Sequence, residues 1–494
     1  MITSAGNGTS VVLIVLDTAR AKTVLTDGRR VDGEAFPELS RLADEGVVVP
    51  DAFATAPWTL PSHASLFTGA HSSRHGAHAD HKRLEEEHPT IAEAFAAAGY
   101  ETVAVSNNTW VSEEFGFARG FDTFFKTWQY VQSDTDLGRV AREHEGADMF
   151  QALIGALADG NPIVNVMNAL YGRFFRKTDD DGAARTNEWI ADWLVNRDPG
   201  PFFLFVNYLE PHLEYRPPRT HADRFLPDGV EYNEAMAVEQ DAWGYVAGTV
   251  DITEREFEIL RALYRAELAY IDDRIGELRS LLEAAGEWED TVVVVTGDHG
   301  ENVGEHGLMD HQYCLYDTLL HVPLILHGGP FTGGAVDGPV QLTDVAPTLL
   351  DAAGVEAPAF REAAQGRSFH PEADATSRTW TVAEYMAPQP SMAALEDRVG
   401  ELPSEVRRYD RELRSIRTSE WKLVRGSDET TELYRVAEDP EEMTDLAAEY
   451  PDVRDRLVAD LDGWCDSFEH VEYNDDVEMG TDTTERLEDL GYLQ

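Results

Sequence analysis

VVLIVLDTAR, residues 11–20, is a run of β-branched and other large apolar residues that ends abruptly in a polar aspartate. Such a run is typical of a central strand that is buried on both faces of a parallel sheet. The pattern recurs in PFFLFVNYLEPH (201–212), TVVVVTGDHG (291–300), VPLILHG (322–328) and the shorter ETVAVSNN (101–108). The sequence therefore predicts at least five strands of one sheet.

Helical patterns lie between these strands. IAEAFAAAGY (91–100) ends on a glycine-tyrosine pair, and residues 253–286 place apolar side chains at steps of three and four. This spacing puts the apolar side chains on one face of a helix. Strands that alternate with helices predict an α/β fold, in which a mostly parallel sheet is flanked by helices on both faces.

The composition changes after about residue 365, where TWTVAEY, SIRTSEWKLVRG and TELYRVAEDP predict short antiparallel strands before a helix from about residue 451. Two stretches without strong strands, 130–190 and 214–252, are predicted to be insertions over the carboxyl ends of the sheet. We predict three segments: a catalytic domain (8–360), a smaller α+β domain (365–465) and a tail that packs on the core (466–494).

The charge balance is strongly acidic: 40 Lys and Arg against 92 Asp and Glu give a net charge of −52, spread along the whole chain. This favours a halophilic protein from an acidic proteome, because concentrated salt screens self-repulsion; an ordinary acidic enzyme is the alternative. The balance argues against nucleic acid as a partner. The apolar run at 11–16 is too short for a signal peptide or a membrane span, so we expect a cytoplasmic protein without a membrane partner. No feature predicts the oligomeric state.

Polar side chains that could do chemistry come after four of the predicted strands. Asp17, Asn108 and His212 each come after one strand, and Asp298 and His299 come after another. The carboxyl ends of parallel strands meet at one edge of the sheet, where such folds place their sites. Two carboxylates and an imidazole that converge there suit a divalent metal ion. Helix-capping aspartates are the alternative explanation.

Five motifs, in this order along the chain, resemble those of the sulfatase family in the alkaline-phosphatase-like superfamily. They are VLIVLDTAR, APWTLPSHASLFTG (56–69), FVNYLEPHLEYRPP, VVVVTGDHGENVGEHG with LYDTLLHVPLIL, and IRTSEWKLV with ELYRVAEDPEEMTDLA. The resemblance covers nearly the whole chain. It implies an α/β core with a metal at the strand ends, a nucleophile at the start of a helix, and a small C-terminal domain.

The nucleophile position departs from the family pattern. Sulfatases place Cys or Ser, converted to formylglycine, at the head of a C/S-x-P-S-R motif; here the head is Thr59, and His63 replaces the Arg. Oxidation of Thr gives a ketone, so Thr59 cannot become formylglycine. A Thr ester must be cleaved by a second attack at the central atom. We therefore slightly favour phosphodiesters or phosphonate monoesters over sulfate esters, with Thr59 as the nucleophile and Ser62 as a helix N-terminal residue.

The resemblance implies roles for further residues. Asp17, Asp298, His299 and Thr59 would hold one metal ion, and the His in place of the usual Asn favours Mn²⁺, Zn²⁺ or Fe²⁺, with Ca²⁺ possible. The residues expected to line the anion pocket are His63, His212, His311 and Asn108. Among these, His212 would touch the transferring group or act as acid on the leaving oxygen, and His311 stands where sulfatases carry a Lys. Thr18 replaces the second Asp of a family pair and would ligate weakly or through water.

Other interpretations remain open. The chain could be a true sulfuric ester hydrolase without formylglycine, a phospho- or sulfo-group transferase, or a pseudoenzyme that binds anionic glycans. The Asp and His spaced four apart that two-metal relatives carry are missing from 205–216, which predicts a single metal. His306 and His321 are interpreted as structural, and the pair Asp272–Asp273 as part of a solvated helix face.

Overall fold

A seven-stranded sheet forms the centre of the computed structural model, which describes residues 8–128, 180–333, 336, 338–373 and 378–471. Its strands, in chain order, are β1 (Ser10–Leu16), β2 (Val47–Val48), β3 (Glu101–Ser106), β4 (Thr123–Lys126), β5 (Phe202–Tyr208), β6 (Thr291–Gly297) and β7 (Leu324–His327). In space they are ordered β2-β7-β6-β1-β5-β3-β4. The five strands from β6 to β4 run parallel, whereas β7 and β2 are antiparallel to their neighbours at one edge.

The apolar run VVLIVL before Asp17 forms the middle strand, β1. It pairs with β5 on one side and with β6 on the other, and its six apolar side chains are at most 1% exposed. Burial on both faces explains why the strand is apolar throughout and shows no alternation. The predicted α/β fold with a mostly parallel sheet is confirmed.

Helices cover both faces of this sheet. Six helices of the described fold before the C-terminal sheet are labelled here: α1 (Pro37–Glu45), α2 (Thr59–Thr68), α3 (Ile91–Ala97), α4 (Ala183–Asn196), α5 (Glu254–Ala285) and α6 (Val345–Ala352). Helix α7 (Pro451–Cys465) follows the C-terminal sheet. Helix α5 begins with a capping box, in which Thr253 and Glu256 satisfy each other's backbone N–H groups, and it ends at Gly286 with φ 77°. These are the start and stop signals expected of a long helix. Among the helices that the structure describes, none combines the length and apolar character needed to cross a bilayer.

The prediction that Asp272 lies on a solvated face of α5 is wrong. Its side chain is fully buried and accepts hydrogen bonds from the backbone N–H groups of Glu38 (3.0 Å) and Leu39 (2.7 Å). Those N–H groups belong to the first turn of α1, where a helix has no internal acceptors. Asp272 therefore fixes the start of α1 against α5, while the neighbouring Asp273 is exposed as expected.

A separate antiparallel sheet is formed by the C-terminal part of the chain. It consists of β8 (Trp380–Tyr385), β9 (Leu413–Thr418), β10 (Lys422–Gly426) and β11 (Thr431–Tyr434), paired in chain order, and α7 packs against β9 and β10. The predicted C-terminal sheet and the helix after it are confirmed. The exact domain boundaries stay a prediction, and the tail beyond 471 and most of the insertion at 130–190 lie outside the described residues.

Short elements complete the described fold. The two-residue strands pair as Leu25–Thr26 with Arg30–Val31, Ala52–Phe53 with Val340–Gln341, and Asn302–Val303 with Met309–Asp310. The short helices are Ala21–Val24, Ser72–His75, Arg219–Phe225, Tyr232–Ala235, Ala242–Val246, Asp317–Leu320, Pro358–Ala363, Met392–Val399 and Ser404–Arg407. Three of these helices fall within the second predicted insertion, 214–252.

Candidate active site at the strand ends

Adjacent strands bring Asp17, Asp298 and His299 together. Asp17 comes directly after β1 and Asp298 directly after β6, and the last residues of these parallel strands are paired. The two loops approach closely at Gly297, where an added Cβ would lie 2.6 Å from the carbonyl oxygen of Ala19. Glycine is therefore required for this approach. All three side chains are fully buried, and one ligand atom from each lies within 4.8 Å of the others.

The His299 ring is oriented as a metal ligand would be. Its Nδ1–H donates to the carbonyl of Gly300 (2.9 Å), so Nε2 carries the lone pair. Nε2 lies 3.4 Å from Asp298 Oδ2, 3.8 Å from Asp17 Oδ1 and 3.3 Å from Thr59 Oγ1. Among the described residues, neither of these two carboxylate oxygens has a hydrogen-bond partner. Unpartnered buried oxygens around an imidazole lone pair fit a divalent cation.

The pKa shifts of these side chains also fit a bound divalent cation. Burial and then the neighbouring Asp298 charge raise the pKa of Asp17 well above its ordinary value. Burial also raises the pKa of Asp298 and lowers that of His299 well below its usual range, which keeps the ring neutral. Two buried carboxylates that lie close together raise the free energy of the folded state. A bound cation would remove this unfavourable contribution.

Thr59 lies at the start of α2, as predicted. The preceding Trp58 is extended, with φ −148°, so the helix begins at Thr59 and its hydroxyl faces the cluster. Thr59 Oγ1 is 3.3 Å from His299 Nε2 and 3.4 Å from Asn108 Nδ2. Ser62, by contrast, donates its hydroxyl to the carbonyl of Asp298 at 2.6 Å. Of the two hydroxyls, only that of Thr59 faces the imidazole lone pair.

Asn108 connects the nucleophile position to the carboxylates. Its Nδ2 donates to Asp17 Oδ2 at 2.5 Å, and its backbone N–H is held by the side chain of Asn207 at the end of β5. The structure therefore brings Asn108 into contact with the cluster. Its present contact fixes the orientation of the Asp17 carboxylate, which leaves Oδ1 directed toward His299.

His63 contacts the backbone of Thr59 and lies close to Asp298, and its pocket-lining role stays a prediction. Its Nδ1–H donates to the carbonyl of Thr59 (3.0 Å) and is 3.4 Å from Asp298 Oδ2. The ring packs edge-on against Phe117 and Phe205, and Nε2 has no partner. One helical turn after Thr59, the side chain points into the core, where burial lowers its pKa.

Three imidazoles form a row from the cluster outward: His299, His311 and His212, with ring centroids 4.6 and 5.3 Å apart. His212 donates its Nδ1–H to the carbonyl of Leu213 (2.5 Å), and burial, together with the charge of His311, lowers its pKa to about 4. The structure thus brings His311 next to His299 and His212 next to His311, with a neutral ring at His212.

His311 differs from the other two rings in its charge. Burial disfavours the imidazolium, but Asp310 and Glu301 outweigh burial and raise the pKa of His311 well above its ordinary value. Glu301 Oε1 lies 3.3 Å from His311 Nδ1, and an Asp310 carboxylate oxygen contacts the same nitrogen. These contacts favour the charged form of His311, at the position where the family resemblance leads one to expect Lys.

Glu301, Asp310 and Tyr215 were not predicted from the sequence. Glu301 stands two residues after His299, a signal that could have been used; Tyr215 gives none, because only the fold brings it to Glu301. Among the described residues, Glu301, Asp310 and His311 form a second buried group with metal-ligand spacing. Thr18, expected as a weak ligand, donates its backbone N–H to Asp298 Oδ1 (3.1 Å), and its hydroxyl has no partner.

A cavity of about 480 Å³ lies between the segment 306–316 and the C-terminal sheet. Tyr313, Tyr316, Tyr409 and Arg411 are among its lining residues, and none of the strand-end residues described above takes part. The catalytic chemistry is therefore to be sought at the strand ends.

Comparisons with known proteins agree with this arrangement. The sulfatase family model matches residues 9–355. An arylsulfatase of Clostridium perfringens (strain 13 / Type A) is 26% identical over 495 residues, which cover 92% of this chain and 94% of that protein. A choline-sulfatase of Rhizobium meliloti (strain 1021) is 24% identical over 455 residues, covering 89% and 82%.

Among solved structures, the phosphonate monoester hydrolase of Agrobacterium radiobacter superposes with a TM-score of 0.65 at 20% identity, covering 92% of this chain and 95% of that chain. This likeness extends over both the central sheet and the C-terminal sheet. Since the family model spans most of the chain and the fold agrees with it, the chain belongs to the sulfatase family.

Proposed function

We propose that this sulfatase-like ester hydrolase cleaves small anionic esters through Thr59 as a covalent nucleophile. The observation that carries the proposal is the position of Thr59 Oγ1, 3.3 Å from the lone pair of His299 and beside two unpartnered carboxylate oxygens. The N-terminus of α2 adds backbone N–H groups and a positive dipole end, both of which favour the alkoxide and the bound anion.

Asp17, Asp298, His299 and Thr59 are the residues that would hold a divalent ion. When bound, such an ion polarises the ester and favours the deprotonated Thr59 hydroxyl. Three oxygen donors and one imidazole support Mn²⁺, Zn²⁺ or Fe²⁺ over Ca²⁺, which prefers oxygen alone. Asn108 would keep the Asp17 carboxylate turned toward the ion, because its amide holds the other oxygen.

The reaction would proceed in two displacements. Thr59 Oγ forms a bond to phosphorus or sulfur while the bond to the alcohol breaks, and the alcohol leaves with one proton. Water then attacks the same central atom and breaks its bond to Thr59 Oγ, which recovers a proton. The product is sulfate, a phosphate monoester or a phosphonate, according to the ester that was bound. A formylglycine ester escapes the second attack, but a Thr ester cannot. This favours phosphodiesters or phosphonate monoesters, for which repeated attack at the central atom is ordinary chemistry.

His311 and His212 would act on the transferring group. The charged His311 would bind its oxygens as the Lys of other sulfatases is expected to do. His212 is neutral without substrate, so its predicted role as an acid requires that the bound anion raise its pKa. His63, placed between Thr59 and the aromatic core, would support Asp298 from behind.

A true sulfuric ester hydrolase is the second candidate. Its support is that the two curated relatives described above are named for sulfatase activity, at 24% and 26% identity. A transferase would use the same Thr ester and pass the group to an alcohol. An anion-glycan-binding pseudoenzyme has less support, since a mere binder has no need of the complete ligand set around Thr59.

The test is hydrolysis of p-nitrophenyl sulfate, phosphate, a phosphodiester and a phosphonate monoester in molar KCl with Mn²⁺ or Zn²⁺. We expect the phosphodiester or the phosphonate to be the best substrate, and T59A to lose turnover while it keeps its fold and metal content. A preference for sulfate would overturn the substrate ranking. Full activity in T59A, or inactivity with every ester, would overturn the nucleophile or the enzyme assignment.

The proposal also includes the salt concentration at which the protein works. The net charge of −52, spread along the chain, supports a protein adapted to a salt-rich cytoplasm. We expect the unfolding temperature to rise between about 0.1 and 2 M KCl, where the Debye length falls from about 10 Å to below 3 Å. A protein that is equally stable at both salt concentrations would contradict the halophilic assignment.

A further inference from the structure

Glu301 is a buried carboxylate that the proposed chemistry does not use directly. It is fully buried two residues after His299. Its Oε2 accepts a hydrogen bond from the Tyr215 hydroxyl at 2.7 Å, and its Oε1 lies 3.3 Å from His311 Nδ1. The side chain therefore bridges a tyrosine on the loop after β5 and His311, which the proposed function assigns to the anion.

The contacts of His311 fix the orientation of its ring. Nδ1 is held by Glu301 and by Asp310, whose Oδ1 also accepts the backbone N–H of His311 at 2.6 Å. A ring that is fixed at Nδ1 turns its Nε2 edge away from the carboxylates. The neighbours in the row of rings are His299 and His212.

We propose that Glu301 and Tyr215 are positioning residues that orient His311 for binding of the transferring anion. The proposal rests on the proposed function, since it assigns His311 to that anion. Groups that orient a residue of the site in this way typically change activity or affinity by about 10- to 100-fold when they are removed.

Tyr215 has a second connection that supports this role. Its ring packs edge-on against Tyr264 at 5.5 Å. The Tyr264 hydroxyl donates to the carbonyl of Thr18 (2.7 Å) and accepts the N–H of Arg20 (2.9 Å), on the loop that carries Asp17. The two tyrosines thus join the support of His311 to the support of the proposed metal ligands.

A second cation at Glu301, Asp310 and His311 is the competing explanation of this cluster. The hydrogen bonds argue against it. Both oxygens of Glu301 are engaged, by Tyr215 and His311, and those of Asp310 are engaged by the backbone of His311 and by the Gln312 amide (2.6 Å). By contrast, the first cluster leaves one oxygen of Asp17 and one of Asp298 unpartnered.

The experiment compares Y215F, E301A, E301Q and H311A with wild type, in kcat, KM and inhibition by inorganic phosphate. Y100F is the matched control, because the Tyr100 hydroxyl bonds backbone carbonyls of Thr9 and Ala353 at the opposite end of the sheet. We expect kcat/KM to fall about 10- to 100-fold in E301A and less in Y215F. E301Q, which keeps an acceptor of the same shape, should recover most of the loss, and Y100F should match wild type.

The double variant E301A/H311A decides whether Glu301 acts through His311. If Glu301 acts through His311, the double variant is no worse than H311A alone. Losses that multiply would overturn the proposal, as would kinetics that stay normal while only the unfolding temperature falls. A wild-type protein with two metal equivalents, one of which is lost in E301Q, would establish the second cation instead.

Measurement of phosphate binding tests the positioning role even if the protein does not show the proposed hydrolase activity. Calorimetric titration with inorganic phosphate then measures the same pocket without turnover. We expect E301A and H311A to weaken phosphate binding to a similar extent, with Y100F unchanged. Equal phosphate affinity in all variants would overturn the positioning role, whereas inactivity combined with these affinity losses would overturn only the proposed reaction.

Discussion

Two buried clusters of charged side chains in this chain differ in how their charges are satisfied. The strand-end cluster of Asp17, Asp298 and His299 holds two carboxylates beside a neutral imidazole. The interface cluster, between the helix at Asp317–Leu320 and the C-terminal sheet, holds Asp317 and Glu442 against Lys422 and Arg417.

In the interface cluster, each charged group has a partner of opposite charge. Lys422 Nζ lies 2.7 Å from both Asp317 Oδ1 and Glu442 Oε1, and Arg417 Nε donates to the other oxygen of Asp317 at 2.9 Å. Lys422 is fully buried, yet its charge has two partners. Buried charges are normally paired in this way, so this cluster has a structural explanation. The strand-end cluster has no such pairing of opposite charges, which supports the proposed cation site.

The largest expected effect is that of Asp298→Asn at the strand ends. The backbone N–H groups of Thr18 and His299 hold Oδ1, so the amide oxygen will take that place and the NH₂ group will face the cation position. We expect loss of the bound metal and a fall in kcat/KM of at least about a thousandfold. Metal content and hydrolysis rates measure both. Retained metal with normal activity would contradict the assignment.

Asp317→Asn breaks the interface cluster and should lower the stability of the protein instead of its activity. Removal of one partner from a buried ion-pair cluster costs about 3 kcal/mol, because Arg417 loses its carboxylate partner and Lys422 keeps only Glu442. Arg417 and then Lys422 outweigh burial and hold the pKa of Asp317 well below its ordinary value. This contribution is therefore present above about pH 4 and is lost as the pH falls further. Denaturant unfolding at fixed KCl measures it.

The exposed carboxylate of Asp273 provides the control for this substitution, since D273N removes one charge from the same acidic chain. D273N should change the free energy of unfolding by less than about 0.5 kcal/mol. An equal loss in both variants would show that net charge, and not the buried pair, determines the effect.

The sequence predicted the strands and the strand-end residues because each depends on a local pattern. The β-branched run before Asp17 and the four valines before Asp298 mark buried strands, and parallel strands bring the residues at their carboxyl ends to one edge of the sheet. Thr59 was placed correctly at a helix start for a similar reason, since the turn residues before it are local.

The features that could not be predicted depend on contacts between distant segments. Asp272 looks like a solvated residue until α1 is packed against α5 and needs an acceptor for its first turn. Tyr215 and Glu301 are 86 residues apart, and no periodicity links them. His63 illustrates a third case: the motif gives its position in the sequence, but only the packing of Phe117 and Phe205 determines which way its ring faces.

Asp17→Asn tests the strand-end cluster through the free energy of unfolding. We expect it to stabilise the metal-free protein, whereas Asp317→Asn should destabilise the protein. Asn108 will hold the amide oxygen, and the new NH₂ group can donate toward His299 Nε2 or Asp298. Without metal, we expect the variant to be about 2 kcal/mol more stable than wild type, because two confined carboxylates become one.

The pH dependence sharpens this prediction. Burial and then Asp298 raise the pKa of Asp17. Its unfavourable effect is absent below the ordinary carboxyl pKa of about 4 and grows as the pH rises through the raised value. The advantage of D17N should therefore appear in EDTA at neutral pH and disappear near pH 4, or when metal is added to wild type. A variant that is less stable at neutral pH in EDTA would contradict the proposed cation site.

Ser62→Ala is expected to have the smallest effect. The Ser62 hydroxyl donates to the carbonyl of Asp298 at 2.6 Å and so supports the loop that carries the carboxylate, without facing the lone pair of His299. Loss of one such hydrogen bond is worth about 1 kcal/mol, which corresponds to a fall in kcat/KM of about fivefold to tenfold. Steady-state kinetics of S62A and T59A side by side measure the difference. If S62A loses turnover while T59A keeps it, the wrong hydroxyl has been assigned, and the unsatisfied cluster would then serve a nucleophile on the next turn of the helix.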